Sequence, residues 1–183
     1  MASCNKRWRV PDVKTLILGY GNDSRRDDGV GWFVIERLEA LPLNGVELLT
    51  AHQLEVDHAE VISRFDNVVF VDAAVPQSQK PITETVVQPR FQSHAVAHYL
   101  TPSDLVSLSD TLYGQVPRAA LFSIRGIDFG FGTGLSSATE VWALEVVHRI
   151  EQRVKDWNQQ PVGTQAVVGE IGPEQGHARN VNH

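Results

Sequence analysis

Three residues combine the types and the placing that chemistry needs: Asp28, Asp72 and His98. Asp28 closes the turn GYGNDSRRDD and precedes Gly29; Asp72 ends the run VVFVD; His98 stands just before TPSD. Both acids lie where an apolar run gives out, and the carboxyl edge of an open α/β sheet is where such folds place their ligands. If the first and third strands are neighbours, the two carboxylates meet at one edge, and His98 reaches them from the loop above. Two oxygens and one imidazole nitrogen, with positions left open, suit a borderline divalent ion such as nickel, zinc or iron. Plainer roles stay open: Asp28 as a helix cap, Asp72 bonded to turn amides, His98 as an exposed loop residue. Asp27 reads as a support that bonds backbone amides. His94 precedes His98 by four residues, but the segment is too short and irregular for a helix and a solvated His94 is the simpler reading. His52 and His58 read as surface or loop residues.

The elements that must position these groups alternate between strand and helix. Residues 15–18 form a β-like run, and the turn after it holds Gly19, Gly21 and Asn22, which tolerate unusual backbone angles. Residues 29–41 read as a helix with Val30, Phe33, Val34, Leu38 and Leu41 on one face. A short strand follows at 46–50, then a weakly amphipathic helix at 55–65. The continuous run 68–71 suits a central strand covered on both faces. A further strand fits 83–87. Thr101-Pro102-Ser103-Asp104 is a helix start, with Leu105, Leu108 and Leu112 as its inner face. The last strand is 119–124. A glycine-rich loop spans 126–134, and Ser137 with Glu140 reads as a capping box for a helix to about residue 157, with Val147, Ile150, Val154 and Trp157 inward. The expected fold is α/β: a three-layer sandwich with a twisted, mostly parallel sheet of about five strands and helices on both faces. Residues 1–14 read as a lead-in, 15–158 as one domain, and 159–183 as a polar tail expected to be disordered.

Composition narrows the function. The net charge of −6 argues against a protein held to nucleic acid by phosphate contacts. A single cysteine, Cys4, rules out an internal disulfide and a cysteine-only metal site. No apolar run approaches the roughly 20 residues that span a bilayer, and the N-terminus lacks an apolar signal core, so a reducing cytoplasmic setting is expected. There is no G-x-S-x-G elbow, no H-E-x-x-H and no P-loop. Gly19-Tyr20-Gly21 only begins a dinucleotide fingerprint, because Ser24 stands where the third glycine would fall.

GYGNDSRRDDGVGWFVIERL resembles the opening motif of the hydrogenase maturation proteases, which process the nickel–iron hydrogenase large subunit. The resemblance continues through HQLEVDHAEVISRFDNVVFVDAAV, SHAVAHYLTPSDLVSLSDTLYG and LSSATEVWALEVVHRI, covering roughly residues 15–155. It departs at Ser24, usually apolar in the family; at Glu55-Val56-Asp57, where Pro and Glu usually follow soon after His52-Gln53-Leu54; and at Gly130 or Gly132, where an acid is common. The resemblance implies a twisted five-stranded sheet between helices and places the family's nickel-contacting positions on Asp28, Asp72 and His98. It implies an endopeptidase that removes a C-terminal extension from a nickel–iron hydrogenase large-subunit precursor after nickel insertion. Nickel would arrive with the substrate as a recognition element. Cleavage could rest on the metal or on Asp28 or Asp72 as a catalytic base. The alternative is a non-catalytic chaperone for the nickel-loaded precursor, which would need the same ligands.

Overall fold

The computed structural model describes residues 13–90 and 99–160. Strands β1 (Thr15–Tyr20), β2 (Val46–Ala51), β3 (Asn67–Ala74), β4 (Ile82–Val87) and β5 (Arg118–Arg125) form one sheet in the order β2-β1-β3-β5-β4. β1 runs parallel to β2 and β3, and β3 parallel to β5; only the edge strand β4 is antiparallel. Helices α1 (Val30–Glu39), α2 (His58–Ile62), α3 (Pro102–Tyr113) and α4 (Ser137–Gln159) cover the two faces. This is the mostly parallel five-stranded α/β class expected from the alternation of elements.

The period of two along each strand splits the apolar runs between two cores. Ile17, Val69, Val71, Phe122 and Ile124 pack with α1 and α4. Leu16, Leu18, Val68 and Phe70 pack on the other face with α2 and α3. Val68 to Val71 have no exposed surface, as a central strand covered on both sides requires. Helix α1 rides directly on the sheet because Gly31 has no side chain: a Cβ there would lie 2.6 Å from the Tyr20 nitrogen and 2.9 Å from the Val71 oxygen.

Several helix boundaries and faces differ from the sequence pattern. Helix α2 has five residues, not eleven, because Ala59 and Ile62 alone within it are buried. The capping box at Thr101 forms: its hydroxyl accepts from the Asp104 amide at 3.2 Å, and Asp104 accepts from the Thr101 amide at 2.9 Å. Its inner face turns through Leu105, Val106 and Ser109, leaving Leu112 56% exposed. The Ser137–Glu140 box does not form. Ser136 is the N-cap of α4, and its hydroxyl is committed elsewhere, to Asp27. The buried stripe of α4 runs through Thr139, Ala143, Val146, Ile150, Val154 and Trp157, with Val147 half-buried beside it. The helix, expected to about residue 157, reaches Gln159, and Arg118 donates to the Gln160 carbonyl at 2.8 Å. Residues 1–12 of the lead-in, 161–183 of the tail, and both His94 and His98 lie outside the described residues.

Candidate active site

The site is built on the connection from β1 to α1. Gly21 turns the chain at φ 130°, and a Cβ there would stand 2.0 Å from the Asp28 carbonyl oxygen, so both backbone angle and space demand glycine. Trp32 fixes the turn from α1 by donating its indole N–H to the Gly21 carbonyl at 2.9 Å. The Asn22 amide donates to Asp28 Oδ2 at 3.0 Å. Asp28 therefore does not cap the helix. Gly29 is the N-cap of α1, with no side-chain bond, and a short 3-10 turn from Arg26 to Gly29 intervenes.

Asp27 is the anchor, and its bonding is more extensive than support by backbone amides alone. It has no exposed surface. Its Oδ2 accepts from the amides of Ile127 at 2.7 Å and Asp128 at 3.0 Å and from the hydroxyls of Ser136 at 2.7 Å and Thr139 at 3.0 Å. Its Oδ1 accepts from the Ser136 amide at 2.6 Å. Burial pushes this carboxyl upward, but the hydrogen bonds from Asp128, Ile127 and Ser136 outweigh it and hold it below its ordinary value. Asp27 thereby ties the loop that carries Asp28 to the β5–α4 loop, a hundred residues on.

Asp72 arrives on β3. The parallel register pairs Gly19 with Val71, which sets Tyr20 beside Asp72 on the α2–α3 face of the sheet. The Tyr20 phenol donates to the Asp72 carboxylate, and the Ala73 amide donates to Asp72 Oδ1 at 2.7 Å. Burial, joined by the charge of Asp28, lifts Asp72 to about 6 against the opposing bonds from Tyr20 and Ala73. Burial and the same carboxylate push the phenol upward too, so Tyr20 stays protonated and donates.

The structure thus brings Asp28 and Asp72 together, close enough for one charge to act on the other. Among the described residues neither forms an ion pair with a lysine, arginine or histidine. Two neighbouring carboxylates without a cation attract one, and a carboxyl titrating near 6 is a competent base near neutrality. Among the described residues no group of three or more His, Cys, Asp or Glu is placed to hold a metal, and His98, the expected third ligand, lies outside them. Helix α3, beginning four residues after position 98, covers the face that carries Asp72. His52 stands exposed at the tip of β2 with its ring 5.3 Å from Trp32, as read from the sequence, whereas His58 opens helix α2, is half-buried and accepts from the Glu55 amide at 2.9 Å.

Sequence reasoning missed Tyr20. The signal was available: once β1 and β3 are neighbours in parallel, the residue after Gly19 must lie beside Asp72.

No protein-family model matches the chain, and no curated protein matches it in sequence. Solved structures do. The NiFe hydrogenase maturation protease HycI from Thermococcus kodakarensis is 25% identical, with a TM-score of 0.62 over 78% of this chain and 93% of that one. The hydrogenase maturating endopeptidase HybD from E. coli shares 19% identity and a TM-score of 0.63 over 79% of this chain and 93% of its own. The hydrogenase 2 maturation peptidase from a Thaumarchaeota archaeon shares 18% identity and a TM-score of 0.59, over 78% and 98%. The chain thus shares the fold of these solved hydrogenase maturation proteases and resembles the Thermococcus protein at 25% identity over nearly all of that protein's length.

Proposed function

We propose that this protein is an endopeptidase of hydrogenase maturation. It removes the C-terminal extension of a nickel–iron hydrogenase large-subunit precursor after nickel insertion, and it works in the cytoplasm. The observation that carries the reading is the convergence of Asp28 and Asp72 at the β1–β3 edge, in the fold of the maturation proteases. Nickel belongs to the substrate. An incomplete pair of carboxylates, with His98 as the expected third ligand, favours a precursor that brings its own cation over one that is empty. Among the described residues no helix is long and apolar enough to cross a membrane.

The chain's own residues supply orientation and a base. The Asn22 amide and the Asp27 anchor hold the Asp28 carboxylate over the edge. Tyr20 and the Ala73 amide orient Asp72. Asp72, titrating near neutrality, takes the proton of the attacking water, whose oxygen bonds to the scissile carbonyl carbon; the proton then passes to the leaving amine as the C–N bond breaks. Incubation with purified nickel-loaded precursor, followed by intact mass, tests this. Loss of a mass equal to the extension supports the endopeptidase. A stable complex with unchanged precursor mass would make the protein a chaperone instead.

A further inference from the structure

The loop from β5 to α4 leaves one of its two phenylalanines in water. Phe131 is 89% exposed, while its neighbour Phe129 folds back over Gly126, where a Cβ would stand 2.4 Å from the ring. Gly130 and Gly132 flank the exposed ring and carry nothing to cover it.

This loop is fixed, and it is fixed to the segment that carries Asp28. The Arg26 amide donates to the Gly132 carbonyl at 3.0 Å, and the Gly132 amide donates to Ser24 at 3.0 Å. The Asp27 amide donates to the Asp128 carbonyl at 3.1 Å. Arg25 donates twice to the Phe129 carbonyl, at 3.3 and 3.1 Å, and Arg26 pairs with Asp128 at 3.3 Å. Arg26 holds a left-handed φ of 46° to make these bonds, the one such non-glycine among the described residues. The same edge carries two more exposed apolar groups. Val75, 64% exposed, follows β3 three residues after Asp72; Ile127, 52% exposed, follows β5. The two segments adjoin, since the Gly126 amide donates to the Ala74 carbonyl at 2.9 Å.

A braced loop that holds an aromatic ring in water gains by burying that ring against another surface. We infer that Phe131, with Ile127 and Val75, forms an apolar rim on which the precursor polypeptide docks while its metal centre meets the two acids; this rests on the function proposed above. The partner surface is an apolar segment of the large subunit beside the metal. The rim adjoins the acids on their own edge, so a polypeptide seated there presents its scissile region to Asp28 and Asp72. A small ligand confined to the acid pair would leave the rim unused.

The test measures the Kd of nickel-loaded precursor, and the KM of its processing, for wild type, Phe131→Ser and Val141→Ser. Val141 is as exposed as Val75 but lies on α4. Phe131→Ser should raise Kd and KM by about tenfold or more, with an unchanged melting temperature, because burying a phenylalanine is worth at least that factor. Val141→Ser should leave Kd within about twofold. Wild-type Kd in Phe131→Ser overturns the docking rim and leaves the function standing. Self-association of wild type that Phe131→Ser abolishes assigns the rim to a second copy and overturns the proposal as well. Failure of wild type to bind the precursor at all removes the function and the rim together.

Discussion

Keeping Asp72 ionised should weaken the fold, and removing its charge should strengthen it. Burial and the Asp28 charge raise this carboxyl from 3.8 to about 6. Between those values the folded chain binds the proton more tightly than the unfolded chain does. The stabilising contribution of the group is therefore full below 3.8, declines as pH rises, and is lost above about 6. At 1.36 kcal/mol per pH unit the interval corresponds to about 3 kcal/mol. Asp72→Asn keeps the shape and an acceptor for the Tyr20 phenol and the Ala73 amide but carries no charge. At pH 7.5 the variant should be more stable than wild type by about 1–3 kcal/mol, a rise of roughly 3–9 °C in melting temperature for a chain of this size. At pH 4 the advantage should shrink toward zero. Calorimetric melting of both proteins at the two pH values reads this directly. Equal melting temperatures at pH 7.5, or the same offset at both pH values, would refute the placing of Asp72 in a desolvated site beside a second carboxylate. The same variant should lose processing, so stability gained and function lost would come from one charge.

Other substitutions act through different parts of the site. Asp27→Asn replaces an acceptor oxygen with an amide nitrogen while five donors face the group. Leaving one or more of them without an acceptor should cost about 2–4 kcal/mol and lower the melting temperature by at least about 5 °C. Because Asp27 is held below 3.8, its contribution is present above that value and lost as pH falls through the depressed one, so Asp27→Asn should flatten the acid limb of the stability profile. Gly21→Ala forces a Cβ against the Asp28 carbonyl and should reduce processing at least tenfold, even where circular dichroism still shows a folded chain. His98→Ala should abolish processing of nickel-loaded precursor and leave the melting temperature within about 2 °C; wild-type rates would remove this imidazole from the site.

How much of this was legible in the sequence follows from the range of each interaction. The runs at β1 and β3 were plain because strand pattern is local and both cores depend on it. Their adjacency was a condition that only the register could meet, and it brought Asp28 and Asp72 to one edge. Asp27 was readable as an amide-bonding support, but its partners at Ile127, Asp128, Ser136 and Thr139 come from the far end of the domain. The expected Ser137–Glu140 box of α4 is missing because Ser136, one residue earlier, is the N-cap, and its hydroxyl serves Asp27. Asp28 takes the Asn22 amide across the turn, so of the roles open to it in the sequence the helix cap is not the one it fills. Leu112 was assigned inward by spacing alone, yet α3 buries Val106 and Ser109 in its place.

The central claim is that two carboxylates on one sheet edge accept a precursor through the metal it carries and then cut it. Its most direct test is a time course of intact precursor mass, with nickel-loaded and nickel-free large subunit, under wild type and Asp72→Asn. Loss of the extension is expected only from nickel-loaded precursor and only with wild type. Cleavage of both precursor forms at equal rates, or wild-type cleavage by Asp72→Asn, would contradict it.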